Sequence, residues 1–223
     1  EEEEVSTVGL FFAEKAPTRS FMGVQLPPAF GEISGIDIPA GDSNYVVKNE
    51  FTMPVDAEAF AISPHAHYLA KTMTMKATLP GGKQMTLLRI PDWDFAWQEH
   101  YMFKERMRLP QGTRLETELV YDNSASNPRN PSNPPQKVWW GEQSTDEMGT
   151  IGFGLIPVRK EDEAAWNASA LQQRNGTLLA AATNGTLQRV AQSLGIDLQN
   201  NPGAGQGLQR LLGRGRGQGA APA

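Results

Sequence analysis

Short stretches in which apolar and polar residues alternate, separated by Pro and Gly, constrain the fold of this chain more than any other feature. Met73, Met75 and Ala77 alternate with polar neighbours, and Leu115 and Leu119 belong to a second such stretch. Alternation of this kind is typical of strands with one buried and one exposed face. Helical patterns do not interleave these stretches, which favours antiparallel sheets over a parallel α/β fold.

The composition changes near residue 158 and divides the chain into three predicted regions. Residues 1–158 are predicted to form a mainly β structure, an antiparallel jelly-roll-like β-sandwich. Residues 159–196 have helical composition and are predicted to pack on the sandwich as a short appendage. Residues 197–223 are rich in Gly, Gln, Pro and Ala, which predicts a disordered tail, with an RNA-binding arm as the alternative.

Local patterns predict individual elements within these regions. Strands are predicted over residues 8–12, 45–51, 73–79, 85–90, 115–121 and 150–156. The turn Pro80-Gly81-Gly82 predicts that the third and fourth of these strands form a hairpin. Residues rich in Pro, Gly and Asn predict loops over 27–41 and 123–136.

Two helices are predicted in the region after residue 158. The first covers residues 161–174 and is expected to end at Asn175-Gly176, because Asn and Gly are common where helices stop. The second covers residues 187–194, where apolar residues have helical spacing. Both are expected to pack on the sandwich.

Charge and cysteine content argue against several classes of function. A net charge of -5 and a pI near 5.3 argue against nucleic acid or an anionic membrane as the main partner. Cysteine is absent, so disulfides, thiolate metal sites and thiol nucleophiles are excluded. The chain has no apolar run of the roughly 20 residues that a membrane span requires. Because cysteine is absent, any soft metal ligand must be methionine.

A closely spaced histidine pair is the clearest candidate for chemistry. The chain has three histidines, and two of them are His65 and His67. On an extended strand this spacing puts both rings on one face, whereas on a helix they would diverge by about 200°. Neutral imidazole suits Cu, Zn, Fe and Ni alike, and many such pairs are ordinary surface residues, so the pair alone does not choose a metal.

The period of two predicts which way this pair points. If the strand is regular, Phe60 and Ile62 lie on the core face, whereas His65, His67 and Leu69 lie on the opposite face. The histidines are then expected to point away from the core.

The same test applied to the last predicted strand places Met148 off the core face. Thr150, Gly152 and Gly154 share its face, and residues this small are expected to leave open volume for a substrate. Asp146 and Glu147 precede the methionine and are expected to be solvated, with orientation of a ligand as the alternative.

Several segments resemble one enzyme family. The segment from Ser63 to Ala70, Ser-Pro-His-Ala-His-Tyr-Leu-Ala, resembles the His-x-His segment of the copper type II, ascorbate-dependent monooxygenases, which include dopamine β-hydroxylase and peptidylglycine hydroxylating enzymes. Asp146-Glu147-Met148 resembles the methionine segment of that family. The resemblance covers roughly residues 45–156 and is closest to bacterial relatives of the C-terminal domain. Further similar segments are residues 93–95, 97–112, 119–123, 127–131 and 140–143.

The resemblance implies a metal centre and a reaction. His65, His67 and Met148 would be the ligands of a mononuclear copper that binds dioxygen and attacks a C–H bond of a small-molecule substrate, whose identity the sequence leaves open. Ascorbate or another one-electron donor would supply electrons. The resemblance also implies an extracytoplasmic location, periplasmic or secreted.

The chain departs from the family at two places. The family's second copper needs three histidines, and only His100 is left here, at a position that the family does not use. We expect His100 to be a surface or packing residue and electrons to come from a redox partner or a missing N-terminal domain. Ser63, Thr150 and Gly152 replace the arginine, asparagine and tyrosine that hold the peptide substrate, which argues against a peptidylglycine substrate.

Two other functions stay open on the sequence. The chain is alternatively a non-catalytic copper-binding or structural β-sandwich that retains the family fold, since it lacks the histidines for electron delivery. A zinc hydrolase ranks last, because it would normally need a third histidine or carboxylate ligand and methionine binds zinc poorly.

Overall fold

The computed structural model describes residues 5–31 and 35–183, together with residues 185, 188 and 191. In this part of the chain ten strands precede one long helix, α1 (Glu163–Thr183). The strands are β1 (Met22–Leu26), β2 (Asp37–Ile38), β3 (Tyr45–Thr52), β4 (Ala57–Ala66), β5 (Ala70–Thr78), β6 (Gln84–Ile90), β7 (Tyr101–Leu109), β8 (Arg114–Tyr121), β9 (Val138–Trp139) and β10 (Gly149–Pro157). Short 3-10 turns cover Pro28–Gly31 and Lys160–Asp162.

The eight longer strands form two four-stranded antiparallel sheets. One sheet has the order β1-β10-β4-β7, and the other has the order β3-β8-β5-β6. The first and last strands are neighbours in one sheet, and the chain crosses between the sheets after most strands, which is the arrangement of a jelly roll. The predicted antiparallel β-sandwich is therefore confirmed, and β4 and β10 are adjacent in it.

The alternating stretches form the core between the sheets. Met73 and Met75 on β5 face inward together with Leu115 and Leu119 on β8, and all four are fully buried. β5 and β6 form the predicted hairpin across the Pro80-Gly81-Gly82 turn. Because polar residues alternate with these apolar residues, each strand presents one face to the core and one to the surface.

The large aromatic side chain of Trp166 packs helix α1 on the sandwich. Trp166 is 2% exposed, and its ring meets that of Phe51 on β3 edge-to-face at a centroid distance of 5.7 Å. β10 ends at Pro157, and the helical region begins with the 3-10 turn at Lys160. No helix in the described residues is both long and apolar enough to cross a membrane.

The predicted end of the first helix is wrong. Asn175 and Gly176 lie inside α1, which continues to Thr183. Gly176 does not have the positive φ of a helix-ending glycine. Glycine in a helix costs only about 1 kcal/mol relative to alanine, and the alanines and leucines that follow favour the helix. The tail over 197–223 lies outside the described residues, as does the second predicted helix apart from residues 188 and 191.

The strand predicted over residues 8–12 is also wrong. These residues belong to no strand, and Phe11 is 99% exposed. A strand requires a hydrogen-bonded neighbour, and β1 takes the place beside β10 at the sheet edge. The predicted loop over 27–41 contains the short strand β2, which pairs with β9.

A β-bulge changes the predicted faces of β4. The register with β7 shifts between Ala59 and Ala61, and an irregularity also occurs opposite them on β10. As a result Ile62 is buried in the core, whereas Phe60 is only half-buried and packs against Phe21. The prediction that Phe60 and Ile62 share a face is therefore wrong, because a bulge resets the alternation.

Asn123 anchors the long loop between β8 and β9. It is fully buried, and its Oδ1 accepts a hydrogen bond of 2.9 Å from Asn130 Nδ2. Its Nδ2 donates to the main-chain carbonyls of Ile38, Pro39 and Gln136 at 3.4, 3.0 and 2.7 Å. One side chain thus ties three segments together.

Replacing Asn123 with alanine is expected to lower the free energy of unfolding by about 2–3 kcal/mol, because buried carbonyls lose their donor. Chemical denaturation measures the change. Asn44→Ala, at an exposed residue, is the matched control and should change it by less than about 0.5 kcal/mol. Equal effects of the two substitutions would contradict this role.

Candidate metal centre

The three candidate ligands come from one end of two adjacent strands. His65 is the penultimate residue of β4, His67 lies just beyond its end, and Met148 directly precedes β10. In the register of these strands Ala66 pairs with Gly149. His67 and Met148 are the next residues beyond this last pair, and Glu147 Oε1 accepts the main-chain N–H of both. His67 and Glu147, which directly precedes Met148, are 80 positions apart in sequence and are hydrogen-bonded at this end of the sheet.

The two imidazole rings lie close together. Their centroids are 5.4 Å apart, and the ring planes are perpendicular. Two imidazoles that bind one ion through bonds of roughly 2 Å have ring centres up to roughly 6 Å apart. The separation of His65 and His67 thus fits a shared metal ion.

The Nδ1 atom of His65 is held by an amide oxygen. Gln98 Oε1 lies 2.7 Å from His65 Nδ1. The amide of Gln98 is oriented by its own Nε2, which donates to the Phe95 carbonyl at 3.0 Å. Because the oxygen can only accept, His65 Nδ1 carries the proton and the lone pair is on Nε2, the atom that can bind a metal.

The Nδ1 atom of His67 also faces an oxygen that can only accept a hydrogen bond. Its Nδ1 lies 3.2 Å from the main-chain carbonyl oxygen of Asp146. A carbonyl oxygen only accepts, so the lone pair of His67 is also on Nε2. The ring is buried and meets Phe95 edge-to-face at a centroid distance of 5.8 Å. Both rings are therefore held in the tautomer that metal binding through Nε2 needs.

The surroundings of His65 favour its neutral form. Burial lowers the pKa of His65, and the nearby His67 lowers it further, whereas the hydrogen bond with Gln98 opposes the shift. The neutral imidazole is the form that binds metal ions. The site thus keeps a ligand-competent His65 at neutral pH.

Met148 is half-buried, and its main chain is anchored to the core. The Tyr121 hydroxyl donates a hydrogen bond of 3.1 Å to the Met148 carbonyl. A thioether is a soft ligand and favours Cu(I). Among the candidate donors it is the one that would distinguish copper from zinc.

Glu147 is buried, so the expectation that it is solvated is wrong. It is 0% exposed, and its carboxylate accepts hydrogen bonds from the main-chain N–H groups of His67, Leu69 and Met148. Burial raises the pKa of Glu147 to about 8, and the hydrogen bonds oppose the shift. Its position in the sequence carried no signal of burial, because adjacent acidic residues usually lie at the surface.

The open volume expected beside Met148 is absent from the last strand. A Cβ on Gly154 would lie 2.9 Å from the Phe60 ring, and one on Gly152 would lie 2.8 Å from Ser63 Oγ. Thr150 is buried, and its hydroxyl donates to the Pro27 carbonyl at 2.7 Å. Side chains from neighbouring strands therefore occupy the space that the small residues leave.

Two other sequence expectations concern residues near the pair. Leu69 does not share a face with the histidines, because β4 ends at Ala66 and Leu69 turns into the core. His100 is exposed and directly precedes β7. No group of three or more histidine, cysteine or acidic side chains is arranged to hold a metal among the described residues.

Hydrophobic alternation and histidine spacing in the sequence did not identify Gln98 and Trp93 as residues of the site. Both lie in the connection between β6 and β7, which the alternation of polar and apolar residues does not reach. They were included only in the segments that resemble the monooxygenase family. Their contacts with His65 and with the His67 main chain appear only once the chain is folded.

The fold and the site define a jelly-roll β-sandwich with two histidines and a methionine at one end of adjacent strands. No protein-family model matches this chain, and a comparison with curated proteins finds no match. Among solved structures, weak matches include those of infectious bursal disease virus Gx strain and of the VP2 subviral particle of that virus. The TM-scores are 0.31 and 0.29, with 6% and 8% identity over 69% of this chain. The chain spans 37% of the length of each.

Proposed function

We propose that this chain is the catalytic domain of a copper-dependent monooxygenase, in which His65, His67 and Met148 hold one mononuclear copper. The observation that carries the proposal is the pair of imidazoles 5.4 Å apart, each with Nδ1 bonded to an oxygen acceptor. These hydrogen bonds orient both rings through Nδ1, so Nε2 is the atom of each ring that would bind the ion. Met148, whose main-chain N–H shares the Glu147 Oε1 acceptor with that of His67, would supply the third donor.

Each residue of the site has a defined task in this proposal. The imidazoles bind through Nε2, and the Met148 thioether favours the reduced state of the metal. When bound, copper would supply the one-electron chemistry with dioxygen that hydroxylation of a C–H bond requires. Gln98 and the Asp146 carbonyl hold the two rings in their orientations. Phe95, beside the His67 ring, helps to exclude water.

The remaining parts of the proposal come from the family resemblance. Electrons would come from ascorbate or another one-electron donor, delivered by a redox partner or an N-terminal domain. The substrate would be a small molecule that does not need a carboxylate anchor, because Ser63, Thr150 and Gly152 carry no positive charge. The protein would work outside the cytoplasm of a bacterium, in the periplasm or after secretion.

Copper loading followed by a turnover assay tests the proposal. The chain is saturated with Cu(II), freed of loose metal by gel filtration and analysed by elemental analysis, and we expect one copper per chain. Ascorbate and ¹⁸O₂ are then supplied with a panel of small substrates, and mass spectrometry is used to detect a product that carries one ¹⁸O atom. The absence of stoichiometric copper would overturn the proposal.

Binding without hydroxylation, even with an added electron donor, would favour the alternative that the chain is a non-catalytic copper-binding sandwich. Both functions use the same ligands, so the turnover assay rather than the copper content distinguishes them. Zinc that displaces copper from the loaded protein at equal concentration would argue against both, because two imidazoles and a thioether favour copper.

Replacing Gln98 with alanine is expected to weaken copper binding by about 10-fold to 100-fold, as removal of a partner that orients a ligating histidine typically does. The variant removes the Nδ1 acceptor of His65, so the orientation and tautomer of the ring are less strictly fixed. Competition with a chromophoric chelator measures the affinity. Gln111→Ala, at an exposed residue after β7, is the control. Unchanged affinity in Gln98→Ala would contradict this role.

A further inference from the structure

We propose that Glu147, Trp93 and Tyr121 form a main-chain clamp that sets the distance between His67 and Met148 before any metal binds. The clamp positions the ligand residues through their backbones and does not contact the metal. The inference rests on the proposed function in one respect, since it takes His67 and Met148 as ligands. It adds three positioning residues that lie behind the centre.

One oxygen atom of Glu147 connects the two ligand residues directly. Oε1 accepts the main-chain N–H of His67 at 2.5 Å and that of Met148 at 2.9 Å. Oε2 accepts the main-chain N–H of Leu69 at 2.9 Å and so fixes the turn that follows His67. A single buried carboxylate thus joins the end of β4 to the start of β10.

The carbonyl groups of the same two residues are held by aromatic side chains. Trp93 Nε1 donates to the His67 carbonyl at 3.0 Å, and the Tyr121 hydroxyl donates to the Met148 carbonyl at 3.1 Å. Trp93 is 1% exposed and Tyr121 is 0% exposed, so both donors are anchored in the core. Each ligand residue therefore has its N–H and its C=O bonded to a buried side chain.

The sheet cannot supply these bonds, because both ligand residues lie outside it. The paired register of β4 and β10 ends at Ala66 and Gly149, one residue short of His67 and Met148. Main-chain groups beyond the end of a strand need other partners when they are buried. The clamp supplies those partners and thereby extends a fixed backbone geometry to the candidate ligands.

A fixed backbone reduces the ordering that metal binding has to impose. A ligand set that is already arranged loses less conformational freedom on binding and so binds more tightly. The roles within the clamp differ, because Tyr121 holds only Met148, whereas Glu147 holds both ligand residues. We therefore expect the loss of the Tyr121 hydroxyl to weaken mainly Cu(I) binding, and the loss of the Glu147 carboxylate to weaken binding of both Cu(I) and Cu(II).

The test compares Tyr121→Phe and Glu147→Gln with the wild-type chain. Tyr121→Phe removes one hydroxyl and keeps the ring, so we expect Cu(I) affinity to fall by about 10-fold, the scale typical of ligand-supporting residues, and Cu(II) affinity to stay within about twofold, because the thioether matters mainly for Cu(I). Glu147→Gln places an amide NH₂ against main-chain N–H groups and should weaken both. Tyr45→Phe, whose hydroxyl bonds Gly35 and Asp37 instead, is the matched control.

Three readouts separate the clamp from a general effect on stability. Chelator competition measures both affinities, and X-ray absorption at the copper edge measures the copper–sulfur contribution, which should decrease in Tyr121→Phe. Hydrogen exchange of the metal-free protein measures the amides of Met148 and Gly149, the second of which belongs to the same peptide group as the Met148 carbonyl, and both should exchange at least about tenfold faster in Tyr121→Phe than in Tyr45→Phe, as a local opening predicts. Tyr121→Phe remains a test even if Glu147→Gln does not fold.

The outcomes for the clamp and for the proposed function are distinguishable. A wild-type chain that binds no copper overturns the proposed function, and amide exchange of the metal-free protein still decides whether the clamp exists. A wild-type chain that binds copper, with Tyr121→Phe identical to it in Cu(I) affinity, sulfur contribution and amide exchange, overturns the clamp. Changes confined to Tyr121→Phe and Glu147→Gln support it.

Discussion

Replacing His67 with alanine is expected to reduce copper affinity by more than about 100-fold, since losing a ligand exceeds the effect of losing a residue that only orients one. The fold should persist, because Glu147 and Trp93 bond the main chain of His67 and not its ring. Alanine offers the same N–H and C=O groups. The substitution thus removes the imidazole and leaves the backbone of the site in place.

Elemental analysis after gel filtration and the Cu(II) electron paramagnetic resonance spectrum measure this loss. His65→Ala should behave in the same way, because the two rings are equivalent donors in the proposed centre. His100→Ala is the matched control, since His100 is exposed and directly precedes β7. A His67→Ala protein that keeps one copper with an unchanged spectrum would exclude the proposed centre.

Gly149→Ala is expected to lower the free energy of unfolding by about 3–5 kcal/mol, the sum of an overpacked core and a lost buried hydrogen bond. A Cβ at this position would overlap the Tyr121 hydroxyl and lie 2.8 Å from Leu119 Cδ2. Tyr121 is fully buried and bonded to the Met148 carbonyl, so it has no free space to move into. Thermal and chemical denaturation measure the loss.

A double substitution identifies the cause of this destabilisation. In Gly149→Ala combined with Tyr121→Phe the overlapping hydroxyl is gone, so the pair should be less destabilised than the two single effects added together. Gly81→Ala in the turn between β5 and β6 is the control, since a Cβ there meets no atom within 4 Å. Strict additivity of Gly149→Ala and Tyr121→Phe would show that the hydroxyl is not the obstacle.

Much of the fold could be predicted from the sequence, because strand alternation is a local property. The alternating residues of β5 and β8 and the turn at Pro80-Gly81-Gly82 identified the hairpin and the core faces before any pairing was known. Two of the errors arise where tertiary contacts override the local pattern. Residues 8–12 have strand composition but no partner, and the bulge in β4 reverses the face of Ile62 relative to Phe60.

The candidate site was only partly predictable. His65 and His67 could be placed on one face because the two-residue period of a strand is intrinsic to the backbone. The partners of these rings could not be predicted, because Gln98 and the Asp146 carbonyl reach them from distant loops. Copper ligation by His65, His67 and Met148 stays a prediction, which copper loading followed by elemental analysis tests.

The sequence by itself determined the sandwich and the close placement of two imidazoles at the end of a strand, since both follow from patterns over a few residues. Only the tertiary structure decided that the end of β4 lies beside the start of β10, that the buried Glu147 bonds the main chains of His67 and Met148, and that Trp93 and Tyr121 hold their carbonyls. The reason is physical. Burial and hydrogen bonding between residues about 80 positions apart depend on which strands become neighbours, and no local pattern encodes that choice.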